Sequence, residues 1–558
     1  MPEFGFVSAS YTTASVRADC QRAMNLMPEV VESGAGKSKL WYMHTPGLET
    51  MWTLPTSPVR GLWPGANRLF AVSGSRLYEL FAGGSYNDRG DVESNGQPVQ
   101  IFPNGAGTQL YIVSNDKAWV DSGSGPTRCH FVADLTQLII DASDATKITS
   151  LSGPATFTSD DVGKTLIIDA SPGFTAGTYT ITAVTAGVAT LSSAAGTLGA
   201  TNGTATEIMG DVAARFGAFL DGYFIAVPPD SAQVFISNLN DGQRWEELDV
   251  GVKEAYPDHI GAIIADHEAL FILGDEQGAE VWHNTGPTQD DDYPIHRDYG
   301  GFIHYAILAS WSLVRLDDGI AWIAGNEERG GPFAVLAKGF MPARVSTAAI
   351  EAEWATYSQW SDAVAYSAIE NGHHVWVISF PTANKTWVYD RTQSTLAGIP
   401  LWHERGYWTE SDWGRVRGAF HAFVGVGTGN RAEHYVGDYS SGNVYRQSFS
   451  LYTDDGATIH RSRTTPHSAA ELKRLAHSRL QLEHKPGISP TLAWSDDGGE
   501  TFTSGVPADG PLFAVGDPSK ILGSEWRRLG RARDRVYRAD ITDAAAVAIV
   551  NAYLEAHP

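Results

Sequence analysis

The densest grouping of chemistry-bearing residues lies near the end of the chain. Ser495 to Phe502 reads SDDGGETF. Ser495, Asp497, Gly499 and Phe502 fill the Asp-box pattern S-x-D-x-G-x-x-aromatic seen on sialidase-type propellers. In such a turn the Asp carboxylate accepts hydrogen bonds from backbone donors of a hairpin. The role expected of it is structural, not catalytic. Glu525 to Asp540, EWRRLGRARDRVYRAD, carries Arg527, Arg528, Arg531, Arg533, Arg535 and Arg538. It is the one dense basic stretch of an acidic chain. On a strand pair Arg531, Arg533 and Arg535 would share one face. Guanidinium groups so arranged bind phosphate or the carboxylates of a neighbouring subunit, and the chain's acidity favours the neighbour.

Three other groupings carry less. GAGKS at 34–38 lacks the first glycine of a phosphate loop, because Val31 stands where it should be. A turn is expected there. Asp290, Asp291 and Asp292 are adjacent, whereas calcium loops space their carboxylates alternately, so a solvated loop is expected. His373 and His374 are consecutive on a strand pattern and face opposite sides. No G-x-S-x-G elbow and no H-E-x-x-H pattern occurs. No catalytic residue, metal site or cofactor is assigned.

Net charge is −24, from 64 acidic and 40 basic residues. Gripping nucleic acid by its phosphates requires the opposite sign. Cys20 and Cys129 are too few for a disulfide framework or a thiolate metal site. Residues 1–30 lack the charged and apolar regions of a secretory signal. No stretch reaches the roughly 18–20 apolar residues that span a bilayer.

The elements that must position these residues repeat. Val59 to Leu80 reads strand, Pro64-Gly65 turn, strand, Ser73-Gly74 turn, strand. The same order returns in Val99–Asp121, Arg215–Ser237, Ile260–His283, Leu313–Leu336, Val364–Asp390 and Val416–Gln447. Each middle strand carries a large aromatic: Phe70, Tyr111, Phe224, Phe271, Trp322, Trp376 and Tyr435. Four of the successive spacings are 41, 47, 51 and 54 residues, and the last is 59. Units of about 40–50 residues with several strands are β-propeller blades. The predicted fold is all-β, a propeller of six to eight blades; a large β-sandwich is the competing arrangement.

The domain boundaries follow. Residues 1–50 read as an extended arm. Residues 51–137 and 209–455 hold the propeller. Tyr111 and Phe224 lie 113 residues apart, and the surplus, 138–208, reads as a small β-barrel or sandwich inserted in a surface loop. It could serve as a tip, a contact surface or a sugar-binding module. Residues 456–558 read as a C-terminal β region. There Ala470–Leu482 joins a short helix to a strand, and Asp543–His557 is predicted as a closing helix with Val547, Val550 and Leu554 on one stripe.

Three stretches resemble the packaged-DNA stabilisation or tail-nozzle proteins of short-tailed bacteriophages. They are the arm (Asn25-Leu26, Pro28-Glu29, Thr45-Pro46-Gly47-Leu48), the first unit (Val59-Arg60-Gly61 through Arg76-Leu77-Tyr78) and Trp526–Arg531 with the preceding Leu492–Phe502 hairpin. The resemblance implies a non-enzymatic virion protein of the tail. It would form a homo-oligomeric ring, usually a hexamer, beneath the portal and its head-to-tail adaptor. The ring would close the DNA exit channel, retain packaged genome and dock tailspikes or fibres. Double-stranded DNA would pass without tight binding, and Arg527, Arg528, Arg531, Arg533 and Arg535 are candidate subunit contacts. The alternative is a glycan-binding or glycan-cleaving, sialidase-like propeller.

Overall fold

The computed structural model describes residues 4–557 except 34–35, 66, 153–156, 257, 288–292, 327–329, 410–411, 428, 472 and 515–516. Its residues divide into two compact units, 1–88 with 273–279 and 300–558, and 89–272 with 280–299.

Among the described residues, seven antiparallel groups of four strands recur, one for each repeat of the sequence. Blade 1 holds Val59–Gly65, Arg68–Ser73, Arg76–Leu80 and Tyr86–Asp91. Blade 2 holds Gln100–Pro103, Leu110–Ser114, Lys117–Asp121 and Pro126–Arg128. Blade 3 holds Phe216–Leu220, Tyr223–Val227, Gln233–Asn238 and Asp241–Val252. Blade 4 holds Ile260–Asp266, Ala269–Gly274, Ala279–Asn284 and Ile295–Ile303. Blade 5 holds Val314–Leu316, Gly319–Asn326, Gly330–Lys338 and Met341–Arg344, with Ala306–Ile307 beside its first strand. Blade 6 holds Val364–Glu370, His373–Phe380, Lys385–Asp390 and Trp402–Arg405. Blade 7 holds Gly418–Val424, Glu433–Asp438 and Asn443–Ser448, and takes its fourth strand, Gly47–Thr53, from the start of the chain. Blades 1, 2 and 4 are sheets by themselves, blade 5 gains Ala306–Ile307, and blades 3, 6 and 7 are continued by further strands.

The aromatic of each repeat sits on the second strand of its blade, and all seven are buried. Burying such a side chain contributes about 1.5–3 kcal/mol. A second strand covered on both faces reads as a continuous apolar run, as in Arg68–Ser73, where every residue after Arg68 is buried. The tight hairpins need left-handed residues. Asp221-Gly222 and Asn371-Gly372 supply them, with φ of 48° and 93°, and 51° and 88°.

The insert is a closed barrel lying wholly in the second unit. Its six strands run His130–Ile140, Lys147–Ser152, Val188–Leu191, Gly177–Thr185, Thr165–Ile168 and Gly203–Asp211, and the last pairs back with the first. Leu138, Ile140, Ile148, Leu166, Ile181 and Leu191 fill it. Closure leaves no open sheet edge. His130 pairs with Asp211, so the barrel begins and ends at one point.

The C-terminal region is a two-sheet sandwich completed by the arm. One sheet continues blade 6 through Cys20–Met24 into Arg461–Thr464, Asp534–Ile541, Thr491–Ser495 and Val506–Pro507. The other runs Leu26–Val30, Leu40–His44, Ala548–His557, Leu475–His484, Asp517–Arg527 and Gly510–Ala514. Leu26, Tyr42, Leu480, Leu482, Trp526, Tyr537 and Ile549 belong to the core between them. The arm is therefore not a free extension.

Two helical expectations fail here. Asp543–His557 closes the chain as a strand, Ala548–His557, hydrogen-bonded to Leu475–His484 and Leu40–His44. Val547, Ile549, Asn551, Ala552 and Leu554 are the buried positions, and the register with Leu475–His484 shifts between Ile549 and Asn551. The alanine-rich segment fits helical spacing, but two strands with open edges claim its backbone donors, and tertiary pairing overrides propensity. Of the short helix and strand expected at 470–482, the strand forms, as Leu475–His484 within that sheet, while the described residues before it, 470–471 and 473–474, are not helical. Among the described residues the α-helices are Ala348–Trp354 and Arg391–Ala397, capped by Thr347 and Asp390, which accept hydrogen bonds from Ile350 N and Gln393 N.

Because the barrel's two ends coincide, replacing residues 132–209 with a short Gly-Ser link should leave the rest of the chain folded. Residues 129–212 expressed alone should give a cooperative thermal transition and a dispersed amide spectrum.

Candidate functional sites

The Ser495–Phe502 turn behaves as its residue types require. Asp497 Oδ1 accepts from Glu500 N at 3.1 Å, Thr501 N at 3.0 Å and Ser495 Oγ at 2.5 Å. Its Oδ2 accepts from Thr501 Oγ1 at 2.5 Å. The Ser495 hydroxyl, then the Thr501 donors, hold this carboxyl below the ordinary aspartate range. Gly498 and Gly499 take φ of 85° and 98°, which side chains with a Cβ rarely adopt. Both carboxylate oxygens of Asp497 accept from donors of its own turn, as a turn-forming role requires.

The basic stretch is split by the fold. Arg527, Arg528 and Arg531 are exposed at one end of the second sandwich sheet, and Arg533 is exposed with a partner of its own. Arg527 also donates to Glu525. Arg535 does not join them. It is 2% exposed; its Nε and Nη2 donate to Asp496 Oδ1 and Oδ2 at 2.6 and 2.7 Å. A further donor reaches Leu529 O, and Trp494 lies 5.4 Å from the guanidinium. The bend at Leu529–Asp534 breaks the alternation that would have set Arg531, Arg533 and Arg535 on one face. Arg535 is an internal clamp rather than a surface contact.

The lesser groupings are also placed. Gly36–Ser38 belong to the turn between Leu26–Val30 and Leu40–His44, where Lys37 meets Glu483 at 2.6 Å; Gly34 and Ala35 lie outside the described residues. So do Asp290, Asp291 and Asp292. His373 is buried with Nδ1 2.6 Å from Asp390 Oδ2, whereas His374 Nδ1 accepts from Asp317 N at 3.1 Å. The opposite facing expected of consecutive strand residues is observed. Among the described residues no group of three or more His, Cys, Asp and Glu side chains could hold a metal ion, and no helix is long and apolar enough to cross a membrane.

Two constellations were hidden from the sequence because their members meet only in the fold: 35 and 77 residues separate partners in the first, and 447 separate Cys20 from His467 in the second. The first is ionic. Arg405 Nη1 and Nη2 reach Glu370 Oε1 and Oε2 at 3.1 and 2.7 Å, and Gln447 Nε2 donates to the same carboxylate at 2.6 Å. Glu370 and Arg405 are both buried. Burial alone would raise the Glu370 carboxyl; Arg405 reverses this and holds it below its ordinary value. Nearby, His421 Nε2 lies 2.9 Å from His434 Nδ1, and burial followed by His434 pushes the His421 imidazolium down to about 4. Glu370, Arg405 and Gln447 join the first and last strands of blade 6 to blade 7.

The second has the outline of a cysteine-protease triad. Cys20 Sγ lies 3.7 Å from His467 Nε2, and His467 Nδ1 lies 2.8 and 2.9 Å from the Asp534 carboxylate oxygens. The chemistry does not follow the outline. His467 Nε2 is also 2.8 Å from the Val16 carbonyl oxygen. A carbonyl only accepts, so that nitrogen carries a hydrogen and cannot take the thiol's proton. Burial, then Asp19 and Asp534, pushes the Cys20 thiol up to about 11, against the direction a nucleophile requires. A Cβ on Gly499 would stand 2.9 Å from Sγ, which leaves no room for a substrate. These three residues fasten the arm to the sandwich.

Blade-type sheets, turn-forming carboxylates and internally neutralised charges define a β-propeller scaffold. The chain belongs to the phage-stabilisation family described as Bacteriophage P22 Gp10, beta-propeller, whose model matches residues 18–448. That span runs from the arm to the last strand of blade 7, and it makes this a structural protein of the phage virion. The propeller expectation and the family resemblance both hold. No curated protein matches the chain. Among solved structures, the computationally designed Ika8 protein is 11% identical over 72% of this chain and 99% of its own, at a TM-score of 0.31. The N-terminal domain of Nup159 is 7% identical over 72% and 95%, at 0.33. BamB from Moraxella catarrhalis is 9% identical over 71% and 99%, at 0.32. Likenesses at this level carry no argument.

Both cysteines are buried and unbonded, and burial is also the chief cause that pushes the Cys129 thiol above its ordinary range. The folded protein should therefore leave both thiols unmodified by a thiol-specific reagent at pH 8. Both should react on unfolding, as a colorimetric thiol count would show.

Proposed function

We propose that this chain is the subunit of a ring in the phage tail, set beneath the portal and its adaptor, that closes the DNA exit channel, retains the packaged genome and docks tailspikes or fibres. Its work is non-enzymatic. The observation that carries this reading is the family match across blades 1 to 7. The charge balance supports it: a chain at −24 gains no affinity for DNA from counterion release, as suits a passage that must let its cargo go. Closed rings use head-to-tail contacts, in which one patch meets a different patch on the neighbour. Arg527, Arg528 and Arg531, exposed at one end of the second sandwich sheet, are the basic side of such a contact, and a neighbour's acidic surface is the other. Arg533 stands beside them. Arg535 has no part in it.

Native mass spectrometry of the full chain, alone and with the head-to-tail adaptor, should show a closed oligomer of about six copies. The triple reversal Arg527→Glu, Arg528→Glu and Arg531→Glu should leave a folded monomer that no longer assembles, its melting temperature lowered only by the loss of the Arg527–Glu525 pair. Normal rings from that variant would remove these arginines from the interface.

A further inference from the structure

The second sandwich sheet ends in a ribbon that the rest of the chain does not cover. The strand Asp517–Arg527 pairs with Leu475–His484 only from Gly523 to Arg527, where Gly523 faces Glu483 and Arg527 faces Arg479. Beyond Gly523 its sole partner is Gly510–Ala514. Residues 517–522, with Phe513 and Ala514 opposite them, therefore stand off the sheet, while Gly510, Pro511 and Leu512 edge it against Glu525, Ser524 and Gly523. Among the described residues, no strand pairs with the outer edge of Gly510–Ala514, and none pairs with the other edge of Asp517–Leu522. A two-stranded ribbon is at best marginally stable in water.

Its side chains are the wrong kind for a free surface. Phe513, Ile521 and Leu522 are 48%, 37% and 47% exposed. Phe513 stands opposite Ile521 in register, and the register shift beside it leaves Leu522 as an extra, unpaired residue between Ile521 and Gly523. Three exposed apolar side chains thus stand close together on a ribbon with two open backbone edges. Exposed apolar edges of this kind pair with other chains unless something covers them. The point of departure is specific as well. A Cβ on Gly523 would lie 2.0 Å from Leu482 O, so the ribbon leaves the sheet where only glycine fits.

Charge indicates what covers it. Lys520 and Asp517 pair at 3.5 Å, so the ribbon itself is close to neutral on a chain of −24. It can approach a second acidic copy without the repulsion that the rest of the surface would meet. At its base Arg527 is exposed, and Arg528 follows; both complement that same acidic surface.

We propose that the ribbon formed by Gly510–Ala514 and Asp517–Leu522 is an assembly arm that docks on a second copy of this chain, burying Phe513, Ile521 and Leu522 against the neighbour. The inference rests on the ring reading above and names the apolar part of its interface. Hydrogen–deuterium exchange on the wild-type full chain, in ring and monomer fractions, reads it directly. Amides of 510–514 and 517–522 should exchange about tenfold or more slowly in the ring. The triple variant Phe513→Ser, Ile521→Thr and Leu522→Ser removes only exposed side chains. It should keep the wild-type circular dichroism and melting temperature and run as a monomer in native mass spectrometry. Wild-type rings whose ribbon exchanges as fast as in the monomer, or a triple variant that assembles normally, overturn the arm and leave the ring standing. A wild type that stays monomeric with and without the adaptor overturns both.

Discussion

The structure depends on one pairing between residues nearly four hundred positions apart. Gly47–Thr53 lies antiparallel along Asn443–Ser448 and is the fourth strand of blade 7. Without it that blade would end on an open edge, and Trp52, 2% exposed, would lose its place in the core shared with blade 1. The pairing is anchored by side chains on both flanks. Asp455 accepts from Thr50 N and Oγ1 at 3.1 and 2.8 Å, and Trp52 Nε1 donates to Phe81 O at 2.8 Å. One strand thus ties the beginning of the chain to blades 1 and 7 together.

The same arm then ties the blades to the sandwich. Arg22 donates from Nε and Nη2 to the Glu404 carboxylate at 2.7 and 2.6 Å. Asn25 Nδ2 donates to Gly406 O and His460 O, each at 2.8 Å. Leu26–Val30 and Leu40–His44 extend the second sandwich sheet itself. Strong charges here are spent on internal geometry. Glu370 with Arg405, Asp496 with Arg535 and Asp534 with His467 each join distant segments. Breaking the Glu370–Arg405 pair, buried on both sides, leaves an uncompensated charge, at about 3–5 kcal/mol. A part that must hold its shape inside a particle gains more from such fixed junctions than from a reactive cleft.

Much of the blade architecture was legible because it is local. Strand–turn–strand–turn–strand with a middle aromatic is written seven times, and turns such as Asn371-Gly372 punctuate it. The barrel announced itself by a change of composition, although its strands begin at His130 and end at Asp211, outside the span that composition marks. What the sequence hid is non-local. Cys20, His467 and Asp534 meet only after the arm folds back. Arg535 reads as one more exposed arginine until Asp496 and the Leu529 carbonyl close on it. Asp543–His557 has the spacing of a helix, and only the open edges of Leu475–His484 and Leu40–His44 turn it into a strand.

The central claim is that Gly47–Thr53 is an integral strand of blade 7 and not a fraying terminus. Hydrogen exchange followed amide by amide under native conditions tests it most directly. The account predicts that the amides of Glu49–Thr53 exchange in the same slow class as those of Val444–Gln447, opening only with global unfolding. Exchange of Glu49–Thr53 at the rate of a free chain end, while Val444–Gln447 stays protected, would contradict it.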